Sequence, residues 1–194
     1  MKNIIVPFVS ACLFLSACSM DEIPQASVDK ETVFSNEKGL ETYSYSFYNM
    51  LPSVTDGYSK DAMCDYGAVT NYDDFIRAGA YSPEVSSGWS WTDLRNINYF
   101  IENCTNDAVD ESIRNNYIGL ARFFRAYFYY KKVVRFGDVP WIDRTLTVDD
   151  ELLYAPRDSR TIVMDQVLED LDFACEHITR TSDETGSLVT KWVA

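Results

Sequence analysis

The stretch from Gly119 to Leu146, GLARFFRAYFYYKKVVRFGDVPWIDRTL, decides the fold class. Apolar side chains recur at helical spacing within it and before it, so the sequence predicts one long helix from about Asp110 to Phe136. Gly137 can adopt the left-handed conformation that closes a helix, and Pro140 prevents the helix from resuming. The predicted apolar face consists of Ile113, Tyr117, Leu120, Phe124, Phe128 and Val134.

Three further segments have a helical pattern. We expect helices over residues 31–51, over residues 92–104, and from an N-cap at Asp158 or Ser159 to about residue 178. The apolar face of the last of these consists of Ile162, Val163, Val167, Leu171, Ala174 and Ile178. The closing residues, TGSLVTKWVA, predict a turn and the beginning of another helix. No run with strand periodicity competes, so the chain is predicted to be mainly α.

Two of the helices have the proportions of a tetratricopeptide-like hairpin, since some twenty residues connect 110–136 to the helix that begins at 159. A single helix pair leaves one face uncovered and needs neighbours for stability. We therefore expect a tetratricopeptide-like superhelix that is incomplete at the C-terminus, with the chain forming the N-terminal portion of a longer protein. Arg122 and Arg125 are expected to pair with Asp165, Glu169 or Asp170 rather than to bind an anion.

The first residues predict export. Residues 4–17 are apolar but fall short of the about 20 residues that a membrane-spanning helix needs, which is typical of a secretory signal peptide. The sequence Leu15-Ser16-Ala17-Cys18 resembles the lipobox of bacterial lipoproteins, in which the cysteine is diacylated and becomes the N-terminus. The alternative is a chance cysteine beside an ordinary cleavage site. The predicted organisation is a signal peptide over 1–17, a lipidated tether over 18–30 and a helical domain over 31–194.

Composition limits the partners. The 194 residues are 46% hydrophobic and carry a formal net charge of −13. No basic cluster is evident, which disfavours nucleic acids and other polyanions. After export and lipidation, Cys64, Cys104 and Cys175 would remain, so at most one disulfide is expected. Cys104 and Cys175 lie near the ends of helical patterns and are predicted to pack as small apolar residues.

A set of motifs in fixed order carries a resemblance to a known family. They are Ala121-Arg122 followed by Arg125-Ala126-Tyr127, then Gly137-Asp138-Val139-Pro140, Pro156-Arg157, Asp170-Leu171 with Ala174, the preceding LRNINYFIEN (94–103) and the closing GSLVTKWVA. In this order they resemble the SusD/RagB family of outer-membrane lipoproteins. The resemblance implies a non-enzymatic protein, lipid-anchored in the outer membrane and exposed at the cell surface. It also implies that the protein binds oligosaccharides or polysaccharides and covers a TonB-dependent, SusC-like transporter.

The long region 53–90 supplies candidate sugar-binding residues. Glycines interrupt it, and it mixes aromatic with polar residues, the two kinds of group that hold a sugar ring and its hydroxyls. In an extended segment, Trp89 and Trp91 would present both indoles on one side, about 7 Å apart. Trp91 could equally be a core residue, so Trp89 is the better candidate. The predicted glycan-binding residues are Trp89, Trp91, Tyr72, Asn71, Asp73 and Arg77, beside Tyr66, Asp74 and Asp93.

Material for catalysis is sparse. His177 is the single histidine and lies near a predicted helix end, where it suits the helix dipole. No catalytic residue and no cofactor is predicted, although Asp149-Asp150-Glu151 could bind a structural calcium ion despite lacking the usual calcium-loop spacing. Two alternatives stay open: a helical adaptor that binds protein, and a surface hydrolase whose catalytic part lies outside this chain.

Overall fold

The long helix predicted from the sequence is present and organises the chain around it. The structure is a computed structural model that describes residues 30–53, 79, 82 and 87–194. Its helices are α1 (Lys30–Phe34), α2 (Glu37–Ser44), a 3-10 helix (Tyr45–Met50), α3 (Thr92–Asn103), α4 (Glu111–Phe136), a second 3-10 helix (Glu151–Tyr154) and α5 (Arg160–His177). Residues Glu31–Ala194 form one compact unit.

Helices α4 and α5 form an antiparallel pair, as predicted. Near the start of α4, Gly119 lies against Ala174 and Ile178 at the end of α5. At the other end of the pair, Val139 and Asp158 form an isolated antiparallel bridge that closes the connection between the helices. The described residues contain no strand beyond this bridge. The mainly α prediction is therefore confirmed for the part of the chain that the structure describes.

The core divides into two apolar clusters along α4. The first joins α1, α2 and α3 to α4 through a chain of contacting rings, which are Phe34, Tyr43, Phe47, Phe100 and Phe124. The second lies between α4, α5 and the 137–142 connection, and its buried members are Leu94, Ala126, Phe128, Tyr129, Val139, Val163 and Val167.

The predicted core face of α4 is wrong at Val134, which is 69% exposed. Val134 lies six positions after the buried Phe128, and at 100° per residue this spacing turns it about 240° around the helix, away from the core. Lys132, four residues after Phe128, takes the inward position and is buried. Ile162 is likewise wrong as a core residue, because it lies on the outer side of α5 next to the buried Val163.

The single helix predicted over 31–51 is wrong in detail, since the segment is divided into α1, α2 and a 3-10 helix. Asn36 interrupts it with extended backbone, and its side chain accepts a hydrogen bond from the Gly39 N–H at 2.9 Å. Gly39 lies so close to α1 that an added Cβ would be 2.0 Å from the Val33 carbonyl oxygen. The break thus folds α1 back onto the first turn of α2.

Helix ends elsewhere follow local signals. Gly137 adopts φ +72° after α4, and its N–H donates to the Val133 carbonyl at 2.9 Å. Of the two predicted N-caps for α5, Ser159 is the cap and accepts from the Ile162 N–H, whereas the Asp158 carboxylate accepts from the Trp141 N–H at 2.7 Å. Where the sequence predicts the beginning of another helix, residues 191–193 form a turn, in which the Val193 N–H donates to the Thr190 carbonyl at 3.0 Å.

Cys104 and Cys175 were both predicted to pack as small apolar residues, and the structure confirms this for Cys104 only. Cys104 is buried in the first core cluster, and burial raises the pKa of its thiol to about 11. Cys175 is exposed, so the prediction that it packs as an apolar residue is wrong. It lies beside the buried Ala174 on the outer side of α5. Both thiols are free, and Cys64 lies outside the described residues.

A buried ion pair fastens α4 to α5, as predicted for Arg122 and Arg125. Arg125 donates to both carboxylate oxygens of Asp170, from Nε at 2.6 Å and from Nη2 at 2.7 Å. Arg122 Nε lies 3.0 Å from the same carboxylate. Arg125 also donates to the Asn98 side chain, which in turn donates to the Ile142 carbonyl at 2.9 Å. One network therefore links three helices and the connection after α4.

Candidate functional site

The segment of residues 87–91 crosses the C-terminal half of α4 and carries both predicted tryptophans. Gly88 has φ +94°, and an added Cβ would be 3.3 Å from Arg135 Nε, so a side chain here would be strained and crowded. The Lys132 ammonium donates to the Gly88 carbonyl oxygen. Arg135 Nη2 donates to Ser87 Oγ at 3.4 Å. Two cations of α4 therefore hold this segment in place.

The two indoles meet at a corner rather than side by side. Their ring centroids are 5.2 Å apart and their planes are inclined at 79°. The expected extended platform, with both indoles on one side about 7 Å apart, is therefore wrong. The cause is local: Trp91 caps α3 with φ −120° and ψ 9°, and its carbonyl accepts from the Arg95 N–H at 3.0 Å.

Trp91 faces the second core cluster. Its ring lies 5.6 Å from that of Phe128 and 6.3 Å from that of Tyr129, and the residue is half-buried. Trp89 points outward and is 41% exposed. Its ring meets Phe136 edge to face at 4.9 Å, and the Arg157 guanidinium lies over it at 4.8 Å. Of the two, Trp89 is thus the one placed to meet a ligand.

Lys132 lies under this corner, and the sequence interpretation missed it. The residue is 7% exposed. Its ammonium lies 4.9 Å from the ring centre of Phe128, 5.4 Å from that of Trp91 and 5.8 Å from that of Phe136. Burial lowers the pKa of this amine, although Asp93 opposes the effect. The aromatic faces replace part of the water that a surface lysine would keep.

A cavity of about 310 Å³ opens between α4 and the 87–91 segment. Its lining residues are Met50, Gly88, Ser90, Asp93, Tyr127, Phe128, Lys131, Lys132, Arg135 and Phe136. The expectation that no basic cluster forms is wrong, because one turn of α4 directs three cations to this cavity. The spacing Lys131-Lys132-x-x-Arg135 was the available signal, since residues three and four apart share a helix face.

The other predicted site residues lie outside the described part of the chain. Among the glycan-binding candidates these are Asn71, Tyr72, Asp73 and Arg77, together with Tyr66 and Asp74. Cys18, the predicted lipidation site, and the tether that follows it also lie outside. All of these assignments stay predictions.

His177 and Asp150 are both engaged in structural contacts. The His177 ring stacks on Phe173 at 3.9 Å, and its Nδ1 lies 3.0 Å from the Phe173 carbonyl oxygen. Asp150 pairs with Arg144 and accepts from the Leu152 N–H at 3.0 Å. Among the residues that the structure describes, no three acidic, histidine or cysteine side chains gather as a metal site would require. In the same part of the chain, no helix is long and apolar enough to cross a bilayer.

Comparisons with known proteins agree on one family. A family model named SusD-like, and described as starch-binding and associating with the outer membrane, matches residues 32–191. A SusD-like protein of Formosa agariphila is 26% identical over the whole chain, which spans 41% of that relative's length. A crystal structure of a SusD-like protein from Bacteroides fragilis superposes with a TM-score of 0.65 at 24% identity, covering 86% of this chain and 34% of that one. A SusD-like carbohydrate binding protein of the same organism superposes with a TM-score of 0.64 at 18% identity, covering 83% and 36%.

Proposed function

This chain belongs to the SusD-like family, and from that premise we propose that the protein captures oligosaccharides or polysaccharides at the cell surface for a TonB-dependent, SusC-like transporter. The observation that carries the proposal is the outward-facing Trp89 at the rim of a cavity with polar and aromatic walls. Sugar rings bind through their C–H faces to such aromatic rings and through their hydroxyls to nearby polar groups. Phe136 connects the two features, because it lines the cavity and contacts Trp89.

Non-enzymatic binding is part of the proposal. Among the residues that the structure describes, the cavity wall offers one carboxylate, Asp93, whereas glycoside hydrolysis ordinarily needs two facing each other. His177 is engaged by Phe173 at the far end of the α4–α5 pair. Both observations support binding of the ligand without its cleavage.

The position of the protein is proposed from its first residues. Acylation of Cys18 would hold the mature chain on the outer membrane, since each buried methylene contributes about 0.8 kcal/mol and two or three chains act together. Mass spectrometry of the protein purified from its native membrane should find an acylated N-terminal cysteine. An unmodified N-terminus, or a protein recovered in the cytosol, would contradict this part of the proposal.

The binding function is tested by calorimetry and affinity gels with the full-length protein and a panel of polysaccharides. Trp89→Ala should weaken binding by about two- to tenfold, the value of one aromatic contact of about 0.5–1.5 kcal/mol, while the melting temperature changes little. Trp192→Ala is the matched control, because Trp192 is 77% exposed and lies outside the cavity. Equal affinity of wild type and Trp89→Ala would contradict the assignment, and release of cleaved sugar would contradict the non-enzymatic function.

A further inference from the structure

The cavity beside Trp89 has a charge opposite to that of the protein. The chain carries a formal net charge of −13, yet the described residues that line this cavity include three cations, Lys131, Lys132 and Arg135, and one acid, Asp93. Its volume of about 310 Å³ is at the lower end of small-molecule sites, which run from about 300 to 1,000 Å³. A ligand that enters the cavity therefore meets a mainly positive surface, which favours a ligand with a negatively charged group.

None of the three cations has a carboxylate partner within ion-pair distance among the described residues. Each donates instead to a neutral oxygen. Lys131 reaches the Met50 carbonyl at 3.4 Å, Lys132 reaches the Gly88 carbonyl, and Arg135 reaches Ser87 Oγ at 3.4 Å. An ammonium has three N–H donors and a guanidinium five, so donors remain for another acceptor.

Of the three cations, Lys132 gives the strongest reason to expect an anionic ligand. It is a buried ammonium that lines the cavity, and it contacts aromatic faces and one carbonyl oxygen, while the Asp93 carboxylate of the same cavity lies beyond ion-pair distance. A buried charge is costly unless it is paired, and an anion that enters the cavity would supply the missing partner in a setting where water competes weakly.

Resting on the glycan binding proposed above, we infer that the protein selects acidic glycans, with a sugar carboxylate or sulfate bound in the cavity by Lys131, Lys132 and Arg135. Trp89 and Phe136 form the adjoining apolar surface, where the ring carrying that group, or its neighbour in the chain, can pack. The Arg157 guanidinium lies over the Trp89 ring at 4.8 Å and places a further positive charge beside this apolar surface.

A purely structural role for the same cations predicts a different result. Lys132 and Arg135 bind residues of the 87–91 segment, so their removal could loosen it and weaken every ligand equally. If the cations instead bind an acidic group of the sugar, a variant that lacks one of them should lose its preference for the charged over the uncharged form of that sugar. The preference between matched ligands is therefore the quantity to measure.

The experiment compares matched ligands by calorimetry on the full-length protein. Hexagalacturonate is compared with its methyl ester, and a sulfated galactan oligosaccharide with its desulfated form, so that carboxylate and sulfate are tested separately. Wild type should bind at least one charged form about tenfold or more tightly than its neutral counterpart, because hydrogen bonds to a charged group are worth about 1.5–3 kcal/mol. The pair that shows the preference identifies the anionic group.

Arg135→Gln and Lys131→Gln remove exposed cations and leave the buried Lys132 in place, so these variants should fold. Each should reduce the preference for the charged form several-fold while affinity for the neutral form is retained. Arg180→Gln is the matched control, because it removes one exposed positive charge beyond the opposite end of the α4–α5 pair. It should keep the preference.

Four results would overturn the inference. Equal affinity of wild type for charged and neutral forms in both pairs would refute acidic selection while leaving glycan binding intact. If Arg135→Gln lost affinity for the charged and the neutral form equally, the cations would have a structural role only. Equally tight binding of inorganic polyphosphate would show unspecific attraction to polyanions. Absence of binding to any glycan would remove the proposed function along with this inference.

Discussion

The buried carboxylate of Asp170 should dominate the stability of the α4–α5 pair, and Asp170→Asn tests this directly. The residue is 1% exposed and receives contacts at 2.6, 2.7 and 3.0 Å from Arg125 and Arg122. The amide removes the negative charge and replaces one acceptor oxygen with a donor that faces a guanidinium. Arg125, itself 5% exposed, is then left as a buried charge without a counterion.

The expected loss is about 3–5 kcal/mol, the usual cost of breaking a buried pair by removing one partner. This is a large share of the about 5–15 kcal/mol that stabilises a typical domain. In urea, with a slope of about 2 kcal/mol per molar, the unfolding midpoint should fall by about 1.5–2.5 M. The shift should be visible by circular dichroism, because the network holds three helices together.

An exposed ion pair provides the control. Lys38 and Glu41 are 2.7 Å apart on α2, but the lysine side chain is 78% exposed, so water already stabilises both charges. Lys38→Met should leave the urea midpoint unchanged within error. If Asp170→Asn shifted the midpoint no further than Lys38→Met does, the reasoning from burial and bidentate geometry would be refuted.

Three other changes have expected outcomes. Gly39→Ala should lower the melting temperature, because the new Cβ would overlap the Val33 carbonyl and push α1 off α2. Maleimide labelling followed by peptide mapping should modify Cys175 quickly and Cys104 only after unfolding, since Cys104 is buried with a thiol pKa of about 11. Burial raises the pKa of Tyr117 to about 12 from 10.0, so its contribution to the free energy of unfolding is complete below pH 10 and is lost as the pH rises toward 12. Tyr117→Phe should therefore make the alkaline decline shallower.

Each of these has a clear contrary result. An unchanged melting temperature for Gly39→Ala would mean that α1 does not pack as described. Labelling of Cys104 at the rate of Cys175 in the native protein would contradict its burial. An identical alkaline profile for wild type and Tyr117→Phe, measured by denaturation at several pH values between 9 and 12, would show that ionisation of this tyrosine is not coupled to folding.

Local patterns were enough for the helices α3, α4 and α5. Their ends depend on near neighbours: Gly137 closes α4, and Ser159 caps α5. The same patterns predicted that Arg122 and Arg125 pair with Asp165, Glu169 or Asp170, because the two helices were expected to pack against each other and carry opposite charges. The packed structure decides that the partner is Asp170. Where a break was signalled by only two residues, as at Asn36 and Gly39, the prediction of one continuous helix was wrong.

The candidate site was only partly accessible from the sequence. Trp89 and Trp91 could be selected, since two aromatic residues in a glycine-interrupted loop stand out from the helical pattern. Their mutual angle could not, because it depends on Trp91 being drawn into the cap of α3. Lys132 was missed altogether, since a lysine in a helical pattern is normally a surface residue.

Periodicity and local end signals thus determine that the described part of the chain is mainly helical and where its long helices begin and end, because those properties depend on contacts a few residues apart. The family resemblance came instead from an ordered set of motifs. Only the packed structure decides that Lys132 is buried beneath Trp91, Phe128 and Phe136, and that Lys131 and Arg135 line the same cavity. The reason is that the rotation of α4 is set by its contacts with α3 and α5 together. The burial of Lys132 follows from what surrounds it and not from its place in the helical pattern.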